Sequence, residues 1–236
     1  MFKLISVLIP FRPDHPSRVR SFHWILQFYR ELLPDAEICV GTCKTQLFSK
    51  SRAVNQAAKQ ATRDIFVIAD ADMFYDPHII KQAVNLLDRA AWVIPYKQVL
   101  DISENSTKQL LAAKPHWPVK MHLEVKQRTP RTVGGINVVP RKHFEAVGGW
   151  DERFVGWGGA DDAFFCALET MCGRHKRLDH FIYHLWHKPL KAKSNPNYAY
   201  NYSLAMQYFK AYKNKSLMQK ILNAKHRNDK ARKKEK

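Results

Sequence analysis

The chain has 236 residues, 45% of them hydrophobic, which fits one domain, or one domain with an appendage, and excludes global disorder. No apolar run reaches the roughly 18 residues that a membrane span needs. The net charge of +18 is uneven: Lys188 to Lys236 holds 14 basic and 2 acidic residues, the first 187 residues 25 and 19, so a nearly balanced body carries a basic extension. Such a field attracts a polyanion: nucleic acid, an anionic membrane or an acidic polymer.

The start, "MFKLISVLIPF", is too short in its apolar part for a signal peptide, lacks a small-residue cleavage site and is interrupted by Pro10-Phe11-Arg12. It reads as a buried first strand of a cytoplasmic protein. Ser17 or Ser21 caps the next helix, with Val19, Phe22, Ile25, Leu26 and Tyr29 on its apolar face. "AEICVGTC" is a second strand, "SKSRAVNQAAKQAT" a helix, and "DIFVIADADMF" a third strand ending in acids. "DPHIIKQAVNLLDRA" is a helix with Pro near its start and "AWVIPY" a fourth strand. Strands alternating with helices at this spacing predict an α/β domain with a mainly parallel sheet. From Lys97 to Arg131 the period loosens, with "DISENSTKQLLAAK" read as a helix. "TVGGINVVPRKHFEAVGGWDERF" follows as a turn, a short strand and a helix, and a further helix runs to about Cys172. "LDHFIYHLWHKP" reads as a histidine-rich strand. After Pro196 come one or two amphipathic helices, with Leu204, Tyr208, Tyr212, Leu217 and Ile221 apolar, and "NDKARKKEK" is expected to be disordered. Cys39, Cys43, Cys166 and Cys172 have no zinc-type spacing and are expected to be buried thiols.

Three stretches carry chemistry. "IFVIADADMF" sets Asp70 and Asp72 at the end of a buried strand, where open α/β sheets bind ligands. On an extended chain residues i and i+2 point the same way, so both carboxylates reach one side. Two hard oxygen donors suit Mg²⁺ or Mn²⁺ held with substrate phosphates. A histidine from "FIYHLWHKP" shifts the preference toward Mn²⁺, with His187 favoured over His184 as the further ligand. In "LFSKSRAVN", Lys50 and Arg52 are placed to contact phosphates and Asn55 to satisfy backbone groups near a nucleotide. Pro10 to Arg12 end the first strand at the same sheet edge, where a base can lie. Finally, "VGWGGADDAFF" sets Asp161 beside Asp162. They are either two solvated acids favoured by a helix dipole or a pair facing one small space.

The ordered set "IPFR", "FSKSRAVN", "ADAD", "GGINVVPRKHFEAVGGWDERFVGWGGADD" and "HLWH" resembles the GT-A glycosyltransferases. It is most similar to bacterial and phage family 2-type enzymes, with a C-terminal half like the β-1,4-galactosyltransferases. The resemblance covers about Leu4 to Pro189. It implies a Rossmann-like, mixed, mainly parallel sheet flanked by helices over residues 1–190, while charge and helical period make 191–236 a basic amphipathic helical extension with a disordered Lys-rich tail. It also implies that Pro10, Phe11, Arg12, Phe48, Lys50 and Arg52 line a UDP-sugar site, joined by Asn55, Asp70, Ala71 and the glycine pair Gly134 and Gly135. Asp72 ligates the metal with Asp70 nearby, and His187, with His184 as a further candidate, completes the set. Trp157 matches a mobile-loop tryptophan packing between donor and acceptor, next to Gly158 and Gly159. Asp161 is the implied catalytic base, and Asp162 holds acceptor hydroxyls or orients Asp161. Mutual repulsion of the two carboxylates is expected to raise one pKa toward the range useful for proton abstraction. One position departs: the family has Glu before this pair and this chain has Ala160, so the acceptor's identity does not carry over.

The expected activity is metal-dependent, inverting transfer from a UDP-sugar to a hydroxyl, in a bacterial or phage-infected cell. The basic extension divides the acceptor readings. Lys and Arg can hold DNA phosphates while a hydroxymethylated base is flipped into the site, the reading preferred slightly. Alternatively, a basic amphipathic helix can lie on an anionic membrane beside a lipid-linked or surface glycan. A non-catalytic nucleic-acid binder on a degenerate fold is the reading of another class, supported by Ala160 alone. The transferred sugar, the linkage and the oligomeric state have no signal.

Overall fold

The computed structural model describes residues 2–130, 132–188 and 195–234. Ten strands and eight α-helices are assigned among them. In the first half, β1 (Ile5–Pro10), α1 (Pro16–Leu32), β2 (Glu37–Gly41), α2 (Lys50–Gln60), β3 (Ile65–Ala69), β4 (Met73–Tyr75), α3 (His78–Leu86) and β5 (Trp92–Ile94) alternate. Then come β6 (Gln98–Ile102), α4 (Glu104–Leu111), β7 (Val125–Gln127), β8 (Ile136–Pro140), α5 (Arg141–Ala146), α6 (Ala160–Met171), β9 (His175–Arg177) and β10 (Phe181–His184). The chain closes with α7 (Tyr198–Ala211) and α8 (Lys215–Lys234). No helix of the described residues is long and apolar enough to cross a membrane.

The main sheet runs β2-β1-β3-β8-β5-β9. Its strands are parallel except β8, which is antiparallel to both β3 and β5. β1 is buried at all six positions, as a Val- and Ile-rich strand covered on both faces must be. β8's reversal has a consequence for the site. Ala69 pairs with Ile136, so the chain entering β8 reaches the edge where β3 leaves it. A smaller sheet, β4-β10-β6-β7, stands beside this edge, with β10 parallel to β6 and antiparallel to β4.

Several local expectations are corrected. Helix α1 is capped by His15, whose Nδ1 accepts from the Ser17 amide at 3.2 Å, and Ser21 is buried inside the helix. Pro16 at the first helical position, with its fixed φ and missing N–H, starts the helix before either serine. The predicted helix over "DISENSTKQLLAAK" begins only at Glu104, capped by Ser103, because Asp101 and Ile102 belong to β6. The histidine-rich strand stops at His184, and His187 lies beyond it. In the tail, Leu204 and Tyr208 are buried as expected. On α8, however, Met218 and Leu222 are buried while Leu217 is 42% exposed. One residue is about 100° of helix, so a one-position error turns the face away. The stretch expected to be disordered continues α8 through Lys234. All four cysteines are free thiols.

The proposed boundary at 190 and 191 falls among residues outside those described, and the helices after it pack on the body. Leu204, Ala205, Tyr208 and Ala211 of α7 join the core. Lys225 of α8 is 1% exposed, its ammonium donating to Val147 O at 3.0 Å and Gly149 O at 2.6 Å.

Candidate active site

The cleft lies at the carboxyl edge of β1 and β3, the usual ligand edge of an open α/β sheet. After Ala69 the chain turns, with the Met73 amide donating to Asp70 O at 3.2 Å, because β4 must start at Met73 to pair with β10. The two aspartates therefore do not sit on an extended chain, and the turn sends them to different partners. Asp70 Oδ1 lies 2.6 Å from Lys50 Nζ. Asp72 Oδ2 lies 3.4 Å from His187 Nε2 and 3.7 Å from His184 Nε2.

Asp72, His184 and His187 each offer a ligand atom, all within 4.8 Å of one another. A cation about 2.1 Å from each donor can span such separations. One carboxylate and two imidazoles suit a divalent ion of the Mn²⁺ type better than Mg²⁺. Both histidines are brought in, where the sequence favoured one, while Asp70 stays outside the group. The carboxylates at this group favour a positive charge beside them, supplied by a proton on His184 or, in its place, by a cation. Burial acts against the Asp72 charge, yet His184 and His187 hold its pKa well below the usual carboxylate range. Burial likewise disfavours imidazolium at His184, but Asp72 and Asp101 raise its pKa to about 9.

Asp101 had no place in the sequence reading. Its Oδ1 lies 2.9 Å from His184 Nδ1, and it is paired with the Arg128 guanidinium. Taking Nδ1–H as the donor leaves Nε2 free toward Asp72, the arrangement by which a carboxylate orients a ligand histidine. Parallel pairing of β6 and β10 sets Asp101 opposite His184. Arg18 was missed too: it lines a cavity with Phe11, Ser21, Ala71, Asp72 and His187. A lone arginine on an amphipathic helix carries no signal of facing a cleft.

Lys50 ties this region to the acidic pair, its Nζ 2.8 Å from Asp161 Oδ1. Burial works against the ammonium, but Asp161 and Asp70 outweigh it and raise its pKa. Burial pushes Asp70 up to about 6, with Lys50 opposing. Asp161 and Asp162 occupy the first turn of α6, where the dipole favours them, as the helix-start reading has it. Asp162 is the carboxyl whose pKa is raised, by burial first and the Asp161 charge second. Gly134 faces Asp161 directly: a Cβ there would stand 2.3 Å from Oδ1. Gly135 accepts from the Asp70 amide at 2.9 Å.

The other predicted residues divide. Phe11 stacks on Phe22 with centroids 3.8 Å apart and borders the Asp72 cavity with Ala71. Pro10 is buried in register with Gly41. Arg12 donates to Thr45 O at 3.3 Å and Gln46 O at 2.9 Å, bracing a loop. Phe48 is half-buried, and its carbonyl accepts from the Gly156 amide. Arg52 Nε lies 4.0 Å from Glu152. Asn55 satisfies backbone groups, those of Trp150: it donates to Trp150 O at 2.9 Å and Glu152 Oε1 at 3.0 Å and accepts from Trp150 N at 2.8 Å. Its amide clamps the loop before α6. Trp157 is 56% exposed, between Gly156 and the pair Gly158 and Gly159 that opens α6.

A family model described as "Glycosyl transferase family 2" matches residues 24–148, just over half of the chain. A second, described as "N-terminal domain of galactosyltransferase", matches residues 118–188. No curated protein matches the sequence. Among solved structures, the glucosyl-3-phosphoglycerate synthase of Mycobacterium tuberculosis, in complex with Mn²⁺, UDP-glucose and phosphoglyceric acid, superposes with a TM-score of 0.53 at 12% identity, covering 88% of this chain and 79% of that one. A mannosyltransferase of Pyrobaculum calidifontis, in complex with GDP-Man and Mn²⁺, gives 0.52 at 18%, over 94% and 68%. The catalytic domain of Drosophila β1,4-galactosyltransferase 7, in complex with xylobiose, gives 0.47 at 17%, over 81% and 78%. The first two establish a shared fold: a mixed α/β sheet flanked by helices.

Proposed function

This chain belongs to glycosyl transferase family 2, and we propose that it moves a sugar from a UDP-sugar to an acceptor hydroxyl with inversion at the sugar carbon. One observation carries the reading: Lys50 pairs with both Asp161 and Asp70, which ties the acidic start of α6 to the turn that carries Asp72 of the Asp72–His184–His187 group. Asp72, His184 and His187 are the residues to hold a divalent cation, which when bound supplies Lewis-acid charge to the donor's diphosphate. The Mn²⁺ and nucleotide-sugar complexes of the two structural relatives support that donor class.

In the proposed step Asp161 takes the proton from the acceptor hydroxyl as its oxygen bonds to the sugar's anomeric carbon. The bond from that carbon to the diphosphate breaks, and the electron pair leaves with UDP. Lys50 holds Asp161 in place through its ion pair. Arg18 and Phe11 border the nucleotide, the Gly134–Gly135 pair stands beside the sugar with Gly134 leaving room for the Asp161 carboxylate, and Asp162 holds or orients. Closure of both substrates in one cleft supplies much of the rate by proximity.

For the acceptor, a hydroxymethylated base in DNA is the reading we favour, supported by the basic segment from Lys188 onward and by exposed Trp157, Tyr198, Tyr200 and Tyr202. Basic grooves with aromatic faces hold nucleic acid by phosphate contact and stacking. The membrane reading needs an α8 whose apolar face is free, and Met218 and Leu222 of that face are buried. A cytoplasmic location follows from this proposal.

The test is transfer from radiolabelled UDP-sugars, with and without Mn²⁺, to hydroxymethylated duplex DNA or to a membrane lipid extract. Asp161→Asn should lower turnover by about 10²- to 10⁴-fold while UDP still binds. Label found only in lipid would end the DNA proposal. Turnover undiminished in Asp161→Asn would end the assignment of the base.

A further inference from the structure

The peptide from Val155 to Gly159, which delivers Asp161, is held from a segment beyond both family matches. Asn195 donates its amide to Val155 O at 3.3 Å and Trp157 O at 2.8 Å. Asn201 donates to the same two carbonyls at 3.1 and 3.2 Å. Asn197 reaches Val155 O at 3.5 Å. On its other side the loop is tied to the start of α2: Gly156 donates to Phe48 O at 2.8 Å, and Ser49 Oγ to Phe154 O at 2.8 Å.

Two further facts show a fitted contact. Asn201 is 1% exposed, and its Oδ1 is buried with no hydrogen-bond partner among the described residues. An unpaired buried oxygen is costly, so only the donor end of this amide favours its being there. Gly156 has φ +76, and a Cβ there would stand 2.5 Å from Asn195 Oδ1. The backbone thus adopts the left-handed form and approaches the asparagine as only glycine permits. With the loop so placed, the Trp157 ring stacks on Tyr198 at 6.3 Å and 13°, and both rings remain accessible.

We propose that Asn195 and Asn201 are positioning residues for the acceptor: they set the Trp157 loop in its working arrangement before a donor binds. They thereby present the Trp157–Tyr198 pair as the wall against which the acceptor ring lies. This rests on the proposed role of the loop and Asp161 in acceptor binding. It departs from the mobile tryptophan loop that the family resemblance implies, because five amide contacts fix two consecutive odd-numbered carbonyls from outside. The C-terminal segment then belongs to the catalytic unit whatever its basic residues do.

Hydrogen–deuterium exchange at the Gly156 amide tests the clamp without turnover. In the wild-type chain it should be protected and change less than about twofold on adding Mn²⁺ and UDP. In the Asn195→Ala, Asn201→Ala double variant it should exchange about tenfold faster, as loss of buried hydrogen bonds predicts. Fast wild-type exchange that slows only with UDP, or unchanged exchange in the variant, overturns the proposal. Asn195→Ala alone, at a half-buried residue, serves if the double variant does not fold. Kinetics separate positioning from general damage: KM for hydroxymethylated duplex DNA should rise about tenfold while the Kd for UDP with Mn²⁺ stays within twofold. A loosened loop with unchanged KM overturns the positioning role. If the wild type does not modify that DNA, the acceptor reading falls, and the exchange experiment still decides the clamp.

Discussion

Replacing Asp101 should weaken Mn²⁺ binding although Asp101 does not belong to the cation-holding group. Its carboxylate accepts from His184 Nδ1 at 2.9 Å, which turns Nε2 toward Asp72. A hydrogen bond to a charged group contributes about 1.5–3 kcal/mol, and a partly exposed one falls at the low end through solvent screening. The Asp101 side chain is 36% exposed, so about 1.5 kcal/mol is the working figure, or roughly a tenfold change in Kd. Asp101→Asn keeps an oxygen that can accept from Nδ1–H and should cost less than tenfold. Asp101→Ala removes the orienting group and also frees Arg128, moving the loss toward the upper end of the 10- to 100-fold range typical of outer-shell partners, about a hundredfold at most. Calorimetric Mn²⁺ titration in the presence of UDP measures both, with Asp72→Ala as the reference for losing a direct ligand. Should Asp101→Ala bind Mn²⁺ with a Kd within twofold of wild type while Asp72→Ala does not, the orientation argument is wrong. Should Asp72→Ala also bind normally, the cation site is misplaced.

Gly134→Ala should leave stability nearly unchanged but lower kcat about a hundredfold, because its Cβ would meet Asp161 Oδ1 at 2.3 Å and displace the base. Comparing kcat with the thermal midpoint checks this. Arg18→Gln should weaken UDP binding about five- to tenfold, most at low salt, if the guanidinium beside Asp72 meets the donor's phosphates. A salt-independent Kd would refute it. Asp151→Asn should destabilise the fold by about 3 kcal/mol, since Arg153 loses its buried anionic partner and one remaining oxygen must serve both Arg153 and Tyr208. Burial raises the Asp151 pKa, but Arg153 more than offsets it and the net shift is downward. Its stabilisation is therefore present above the unfolded value of about 3.9 and lost as pH falls below it. Denaturant melts between pH 5 and pH 2 should show a shallower decline in the variant.

What the linear order of residues settled is what can be expressed over short distances along the chain. The unbroken apolar runs of β1 and β3 and the helical period of α1 are local patterns, and the structure places each in its expected element. The motifs also identified Asp72 and His187, because a carboxylate at a strand end and a histidine in "HLWH" are conspicuous at short range. Tertiary structure decided what depends on strand direction and register. Asp101 meets His184 across 83 residues only because β6 and β10 pair in parallel. Gly134 meets Asp161 only because β8 runs against its neighbours. The turn after β3, imposed by β4, parted two aspartates that an extended chain would have kept together. The tail read as a basic extension supplies Asn195 and Asn201 to the loop before α6 and buries Lys225 against the body. Period and spacing record which face of an element is apolar. What that face packs on is fixed by the free energy of the whole assembled core.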